Sequence, residues 1–248
     1  MTMTQIYNTE ELARLDPQSI PHHVAIIPDG NRRWAAHYGH DASYGHQHGA
    51  DNLIRIVQAA KALGVKVVTF YIFSTENWNR SQDEIDALMW LLQSYLIDQC
   101  DTMIENGIRL QTIGNLSKIP KEVQDTIAET KRYTAACDQV DMVLAVNYGS
   151  RDEICRACKQ IVDDCLSKKL NSSDIDEGLL NSYLDTATWS DPDLFIRTSG
   201  EKRISNFLTW QISYSELYIA EALWPEFTPA HLLEAVCCFQ NRERRHGN

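Results

Sequence analysis

The sequence has no excess of positive charge. Its 248 residues include 23 Lys and Arg against 34 Asp and Glu, which gives a net charge of −11. A general nucleic-acid-binding protein needs a basic surface that displaces counterions from the phosphates, so we expect no nucleic-acid partner. An acidic protein can still bind a small anion if its few cations are gathered in one pocket.

Long apolar runs are also missing. The longest largely apolar run, Val65–Phe73, has the length of a strand and is far shorter than the roughly 20 residues that span a bilayer. Met1–Pro21 is polar and acidic, so we expect no signal peptide there. We divide the chain into a polar N-terminal arm (residues 1–21) and one domain (residues 22–248).

The seven cysteines lack the even number and regular spacing of a disulfide framework. Reduced thiols in a cytoplasmic protein are therefore expected. Cys155 and Cys158 form a C-x-x-C pair, but no second pair follows to complete a zinc site. Four closely spaced histidines match no zinc pattern either: His37, His40, His46 and His48.

Strand-like and helical patterns alternate along the chain. The strand-like runs are His23–Ile27, Val65–Phe73, Ile108–Ile113, Met142–Asn147 and Leu194–Arg197. The segments with helical spacing are Asp51–Leu63, Asp83–Glu105, Lys121–Ala136 and Arg151–Leu166. Continuous apolar strands separated by helices predict a single α/β domain, with a mostly parallel sheet of about six strands between helices.

Polar segments follow four of the predicted strands. They are Asp29–Arg33, Ser74–Arg80, Asn147–Gly149 and Arg197–Gly200. Ligands of open parallel sheets bind beyond the carboxyl ends of the strands, so we expect the four segments to converge on one site. The phosphate-binding motifs G-x-x-x-x-G-K-[ST] and G-x-G-x-x-G are both missing, which removes the main support for a nucleotide.

The turn after the first strand, Asp29-Gly30-Asn31-Arg32-Arg33-Trp34, suits a diphosphate. Glycine lets a ligand approach the backbone, and arginine pairs with phosphate oxygens through forked N–H groups. Asp29 fits a Mg²⁺ ligand, because magnesium binds through one or two carboxylates plus substrate phosphates. The alternative is a helix-capping Asp beside surface arginines.

A second group of cations follows the last predicted strand, with Arg197, Arg203 and Ser205 spaced to hold another diphosphate. Glu216 could supply a further magnesium ligand, and the alternative for the segment is a solvated loop. His46, which we place at the start of a helix after Gly45, is the histidine expected to contact phosphate.

Several long blocks of the sequence resemble the cis-prenyltransferase family, in particular the bacterial isoprenyl transferases typified by undecaprenyl diphosphate synthase. The resemblance runs from about His22 to Gly247. Its main blocks are HVAIIPDGNRRWA, YGHQHGADN, FYIFSTENWNR, VNYGSRDEI, DPDLFIRTSGEKRISNFLTWQISYSELYI, LWPEF and NRERRHG.

The resemblance implies an activity: extension of an allylic diphosphate, with farnesyl diphosphate as the expected primer, by isopentenyl diphosphate units. The product would be a Z-polyprenyl diphosphate, the precursor of a cell-wall lipid carrier. The family's pattern also implies Mg²⁺ as cofactor, a homodimer, and at most peripheral membrane contact for product release.

The resemblance also implies roles for individual residues. Asp29 and Glu216 would bind magnesium. The allylic diphosphate would contact Gly30, Asn31, Arg32, Arg33 and His46, backed by Trp34. A segment that closes over substrate would contain Ser74, Thr75, Glu76, Trp78 and Arg80, and Asn77 would assist proton removal. Isopentenyl diphosphate would contact Arg197, Arg203, Ile204 and Ser205, and Arg245 would reach the neighbouring subunit's site.

Two features depart from the family's pattern. Pro28 and Arg32 stand where bacterial members usually have Met and Gly, and Asp41–Ser43 lacks the basic residue often found there. We expect Arg32 to supply the missing cation. Two other functions remain open at this stage: a catalytically silent partner subunit on the same fold, and a phosphatase acting on diphosphates.

An apolar channel is expected for the growing chain. The segment Ile85–Ile104 could line it or could be ordinary core. Ile72 and Val146 lie at strand ends, where they could form the channel entrance or point into the core. If branched side chains narrow the entrance, the product is shorter than that of a typical long-chain bacterial enzyme.

Overall fold

Six strands form one parallel sheet in the computed structural model, which describes residues 6–242. They are β1 (His23–Ile27), β2 (Val67–Ser74), β3 (Ile108–Ile113), β4 (Val140–Tyr148), β5 (Leu194–Arg197) and β6 (Glu216–Ile219). Their order across the sheet is β3-β4-β2-β1-β5-β6, with every neighbouring pair parallel. The predicted α/β class is confirmed, and β6 is a strand that the apolar pattern missed.

The described range also contains eight α-helices. They are α1 (Thr9–Leu12), α2 (Asn31–His37), α3 (Ala42–Leu63), α4 (Gln82–Glu105), α5 (Lys121–Tyr133), α6 (Ser150–Leu166), α7 (Glu177–Ser182) and α8 (Pro229–Gln240). Between residues 6 and 242, no helix combines the length and the apolar character needed to cross a membrane.

The sheet buries apolar side chains on both faces. Along β1, Val24 and Ile26 join a large cluster that includes residues of α3, α4 and α8. Ala25 and Ile27 join a second cluster with Phe207 and other residues. This division follows the alternation of side chains along a strand. Burial of both faces explains why the strands read as continuous apolar runs.

Helix α3 begins nine residues before the predicted start at Asp51. Asp41 caps it, because its side chain accepts a hydrogen bond from the main-chain N of Tyr44 at 3.0 Å. His46 is therefore in the second turn of the helix. The prediction that His46 stands at a helix start is wrong. Inside the helix its main-chain N–H is not free, so only its imidazole can bind a ligand.

The N-terminal segment before β1 packs against α8. Tyr7 is buried, and its hydroxyl donates to the carbonyl oxygen of Pro229 at 3.1 Å. Arg14 forms an ion pair with Glu234 at 2.8 Å. These contacts hold the described part of the segment against α8.

Candidate active site

A cavity of about 840 Å³ lies at the carboxyl edge of the sheet. Most of the predicted site residues line it: Asp29, Gly30, Asn31, Arg32, Arg33, His46, Ser74, Glu76, Asn77, Arg80, Arg197, Arg203 and Ser205. The segments after β1, β2 and β5 thus converge as predicted. The segment after β4 does not line the cavity; it lies behind the other segments, where Gly149 meets Thr75 and Asn206.

The other wall of the cavity is apolar. Helix α4 contributes Leu88, Met89, Leu91, Leu92 and Tyr95, α3 contributes Ala50 and Leu53, and β2 contributes Ile72 and Phe73. The cavity therefore combines a cationic end with an apolar wall. Ile72 lines it as predicted, whereas Val146 is fully buried in the core and does not.

Asp29 and Arg197 form the central charge pair of the polar end. Arg197 Nη2 donates to Asp29 Oδ2 at 2.7 Å, and Arg197 Nη1 donates to Ser205 Oγ at 2.7 Å. Arg197 is 3% exposed, whereas the Asp29 carboxylate is partly open to the cavity. This arginine therefore joins the segment after β1 to the loop after β5.

Arg33 and Arg203 share a carboxylate that was not predicted. Arg33 donates to the carbonyl oxygen of Ser199 at 3.2 Å and also to the Ser199 hydroxyl. Glu201 lies 3.4 Å from Arg33 and also pairs with Arg203. Glu201 thus holds the two arginine groups side by side, and a bound anion must compete with it.

Glu84 holds a second pair of arginines together. Its carboxylate lies 3.6 Å from Arg32 and 2.8 Å from Arg80. Burial, together with the positive charges of Arg80 and Arg32, lowers the pKa of His46 to about 4, against the opposing effect of Glu84. His46 is therefore neutral at pH 7, and its buried Nε2 has no hydrogen-bond partner among residues 6–242. A ligand in the cavity can supply that partner.

Glycine allows the first segment to sit tightly in the site. Gly30 has φ 109°, a conformation open to glycine, and a Cβ there would lie 2.9 Å from the Leu223 side chain. A Cβ on Gly49 would lie 2.5 Å from Asn31 Oδ1. That oxygen is buried and has no hydrogen-bond partner in the described part of the chain, so it too is free for a ligand.

The segment after β2 is held by its own side chains. Asn77 Oδ1 accepts a hydrogen bond from the main-chain N of Ser74 at 3.0 Å. Trp78 Nε1 donates to Asn147 Oδ1 at 2.8 Å, which turns the indole toward β4 and away from the cavity lining. Thr75 also lies outside the lining and packs at Gly149.

Some predicted residues are not part of the cavity wall. Trp34 donates to Glu226 at 3.1 Å on the far side of α2, and Ile204 packs on the second core cluster. Glu216 opens β6, at the level of Leu194, and pairs with Arg242 at 2.6 Å. That level is about 10 Å before the end of the neighbouring strand, so one chain does not bring Glu216 to Asp29. Arg245 lies outside the described residues.

The donor set at Asp29 fits magnesium when a phosphate takes part. Within residues 6–242, no cluster of three or more His, Cys, Asp or Glu side chains could hold a metal alone. Magnesium commonly binds through one or two carboxylates and substrate phosphates. Asp29, partly open and surrounded by arginines, can supply one such carboxylate.

Sequence reasoning missed the residues that fix the predicted cations. Glu84, Ser199 and Glu201 bond arginines, and Asn206 links three segments of the site. Carboxylates beside an anion site look unfavourable in a sequence. Their position in the sequence was the one indication of their role. Ser199 and Glu201 flank Gly200, near the predicted Arg197 and Arg203, and Glu84 comes four residues after the predicted Arg80.

An anionic head and an apolar tail are the two parts of a ligand that this cavity can accommodate. Two arginine groups from different strand ends can bind two phosphorylated groups, and Asp29 lies between them. An α/β enzyme that joins two such ligands is a transferase of amphipathic phosphorylated substrates.

Comparison with known proteins gives the family. Residues 27–247 match the Prenyltransf family, described as "Putative undecaprenyl diphosphate synthase". An isoprenyl transferase of Chlamydia pneumoniae is 49% identical, over 93% of this chain and 94% of its own. The crystal structure of lavandulyl diphosphate synthase from Lavandula x intermedia, in complex with dimethylallyl diphosphate, has a TM-score of 0.90 and 35% identity, covering 93% of this chain and 100% of that chain.

A second solved structure agrees. The structure of a probable undecaprenyl diphosphate synthase from Campylobacter jejuni has a TM-score of 0.77 and 34% identity, and the match covers 92% of this chain and 99% of that one. The chain belongs to the undecaprenyl diphosphate synthase family of prenyltransferases. Its reaction is cis-prenyl chain elongation, as the sequence predicted.

Proposed function

We propose that the enzyme extends an allylic diphosphate, farnesyl diphosphate in particular, with isopentenyl diphosphate units. The product is a Z-polyprenyl diphosphate that serves as precursor of a cell-wall lipid carrier. The observation that supports this proposal is the cavity itself, which has arginines from two strand ends at one side and Leu, Met and Ile side chains at the other. The primer's diphosphate and its isoprenoid tail match these two sides.

The two diphosphates are assigned to different groups of cations. The allylic diphosphate takes Arg32, Arg33 and Arg80, together with an N–H of the His46 imidazole and the side-chain amide nitrogen of Asn31 as donors. Isopentenyl diphosphate takes Arg203, Ser205 and the buried Arg197. Arginine suits both, because its planar fork matches phosphate oxygens in pairs.

Asp29 is the proposed magnesium ligand, with the remaining positions filled by diphosphate oxygens and water. When bound, the metal supplies positive charge to the departing diphosphate. The arginines around Asp29 stabilise the same charge from fixed positions, which is the kind of preorganised electrostatics that contributes most to many enzymes. Asn77 is proposed to assist the removal of the proton.

Each elongation step exchanges a carbon–oxygen bond for a carbon–carbon bond. The bond from the allylic carbon to its diphosphate oxygen breaks, and the double bond of isopentenyl diphosphate attacks that carbon. A proton then passes from the isopentenyl unit to an oxygen of the released diphosphate, and the electron pair left behind forms the new cis double bond. The apolar wall from α4 and β2 receives the lengthening tail and excludes water from the reacting carbon.

A homodimer is proposed from the family resemblance, with Arg245 reaching the neighbouring subunit's site. Glu216, which does not line the cavity of its own chain, would serve as a metal ligand only in such an assembly.

A cytoplasmic location is proposed because all seven cysteines are free, as expected in a reducing compartment. Contact with the membrane is proposed to be peripheral and limited to product release.

Primer choice and metal dependence test this proposal together. Purified protein is incubated with labelled isopentenyl diphosphate and with dimethylallyl, geranyl or farnesyl diphosphate, with Mg²⁺ or with a chelator. We expect lipid-extractable label, highest with farnesyl diphosphate, that the chelator abolishes and added Mg²⁺ restores. Release of free phosphate would indicate a phosphatase, and no reaction a silent partner subunit.

A further inference from the structure

Asn206 connects three separate segments of the site. Its side-chain Nδ2 donates to Glu76 Oε1 at 2.9 Å, in the segment after β2. Its side-chain Oδ1 accepts from the main-chain N of Arg151 at 3.0 Å, and its carbonyl oxygen accepts from the main-chain N of Ser150 at 2.8 Å, both at the start of α6. Asn206 itself follows Ser205 in the loop after β5 and lines the cavity.

The chemistry of this position requires asparagine. Its φ of 61° is in the left-handed region, which asparagine tolerates better than most residues. The main-chain N–H of Arg151 needs an acceptor, and the carboxylate of Glu76 needs a donor. An asparagine side chain supplies one of each at the right length, whereas aspartate supplies acceptors alone and glycine supplies neither.

Packing at Gly149 brings the same segments into contact. A Cβ at Gly149 would lie 2.5 Å from Thr75 Oγ1 and 2.7 Å from Asn206 Nδ2, so the missing side chain leaves room for both. The Ser150 hydroxyl accepts from the main-chain N of Thr209 at 3.0 Å, which fixes the far end of the loop. The loop therefore has a rigid support on α6, and the Asn206 side chain bonds it to Glu76 in the segment after β2.

Glu76 is charged when it accepts the bond from Asn206. Burial raises the pKa of Glu76, but the hydrogen bonds from Asn206 and from neighbouring groups of its own segment outweigh burial, and the pKa is lowered. A charge-assisted hydrogen bond is stronger than a neutral one. Because it lies at the cavity wall, a bound substrate that excludes water strengthens it further.

We propose that Asn206 is a positioning residue that couples the two diphosphate sites. It joins the loop that carries Arg203 and Ser205 to the segment that carries Arg80, so order imposed on one by its diphosphate is transmitted to the other. Occupation of the allylic site then tightens the binding of isopentenyl diphosphate, and the reverse holds by the same factor. This inference rests on the proposed function.

Isothermal titration calorimetry with two ligands that do not react with each other tests the coupling without turnover. The probes are isopentenyl diphosphate and farnesyl thiodiphosphate, with Mg²⁺ present. In the wild-type protein we expect saturating thiodiphosphate to lower the Kd of isopentenyl diphosphate about fivefold or more. In Asn206→Asp, which keeps the acceptor for Arg151 but sets a carboxylate against Glu76 in place of the donor, we expect each probe alone to bind more weakly and the coupling to disappear.

Glu76→Gln supplies the rescue and the matched control. Alone, it keeps an amide oxygen that can accept from Asn206, so most of the coupling should persist. Combined with Asn206→Asp, it restores a donor and an acceptor with their direction reversed, and the coupling should return. Asn206→Gly keeps the left-handed backbone without either side-chain bond and should lose the coupling as well. Thermal melting confirms that each variant is folded.

Three results would overturn the inference. They are wild-type protein that binds both probes without coupling, Asn206→Asp that keeps the wild-type coupling, and a folded double variant that does not regain it. If the second of these results came with equal weakening of both probes, Asn206 would be a purely structural residue. Wild-type protein that binds neither diphosphate would instead contradict the proposed function.

Discussion

Arg197 is the residue on which the charge balance of the site depends most. It is 3% exposed, and its guanidinium bonds both Asp29 and Ser205. A buried cation is costly unless it is paired, and loss of one partner leaves the other uncompensated. Arg197 and Asp29 therefore stabilise each other, and a bound diphosphate would compete with Asp29 for the Arg197 guanidinium.

Asp29→Asn tests the proposed metal ligand. The variant keeps the size of the side chain and removes its charge, so we expect kcat to fall about a hundredfold or more, as loss of a contact to developing charge typically costs. Saturating steady-state kinetics measures it. Asp125→Asn, on an exposed partner of Lys121, is the control and should leave kcat unchanged. A value for Asp29→Asn within a few-fold of wild type would remove Asp29 from the mechanism.

Arg203→Ala and Arg80→Ala form a crossed test of the two diphosphate assignments. Each removes one charge-assisted contact, worth roughly 1.5–3 kcal/mol, or about tenfold or more in KM. We expect Arg203→Ala to raise the KM of isopentenyl diphosphate and Arg80→Ala to raise that of the primer. Initial rates with each substrate varied in turn decide the matter. Equal effects of either variant on both substrates contradict the assignment.

Residue type predicted the charged side chains of the site but not the partners that hold them. Asp29, Arg33 and Arg203 were predicted from the chemistry of diphosphate binding, and all three line the cavity. Glu201 was not predicted, since its contact with both arginines depends on the loop conformation. That loop contains left-handed residues such as Ser199 and Asn206, which no periodicity indicates.

Helix α4 and strand β2 form much of the apolar wall of the cavity. One face of α4 lines the cavity, while Leu96 and Met103 on the same helix are fully buried in the core. Different residues of this helix therefore lie in the cavity wall and in the core, and the apolar channel itself stays a prediction. Tyr95 bridges the two roles, because it lines the cavity and its buried hydroxyl has no bond among the described residues.

Ile72→Ala tests whether β2 limits product length. Ile72 lines the cavity, so a smaller side chain should let longer products form, because close-packed walls resist added volume by roughly 1–3 kcal/mol. Val146→Ala, in the core, should cost about 2 kcal/mol of stability and leave product length unchanged. Chromatography of dephosphorylated products measures both. Equal lengths for wild type and Ile72→Ala would place the limit elsewhere.

Most elements could be predicted because their apolar runs are continuous. Strands β1, β3 and β5 have the predicted bounds. Strand β6 was missed because Glu216–Ile219 is short, polar at one end and only partly buried at the edge of the sheet. The start of α3 was missed because its first turns contain Gly45 and several polar residues, whose burial depends on contact with α2.

Two histidines affect the stability of the whole molecule: His23 is buried and His46 is half-buried. Burial lowers the pKa of His23 to about 4, despite its bond to the carbonyl of Ser190, and the pKa of His46 is also about 4. Both start from an ordinary value of 6.5. Between these values the unfolded chain binds protons that the folded protein does not, so acidification favours unfolding.

The free energy of unfolding should therefore fall as the pH drops from 6.5 toward 5. Each histidine contributes up to about 1.4 kcal/mol per pH unit within this window. Urea denaturation at pH 7, 6 and 5 measures the slope. His46→Gln should reduce the slope by removing one of the two groups. An unchanged slope in this variant would mean that His46 is protonated in the folded protein.

The geometry of the double bonds in the product tests the central claim most directly. Purified wild-type protein is supplied with farnesyl diphosphate, ¹³C-labelled isopentenyl diphosphate and Mg²⁺, and the dephosphorylated lipid is examined by NMR. We predict that every double bond formed from the labelled units is cis and that Asp29→Asn yields almost no labelled lipid. Labelled units joined in trans, or phosphate released without labelled lipid, would contradict cis-prenyl chain elongation at this site.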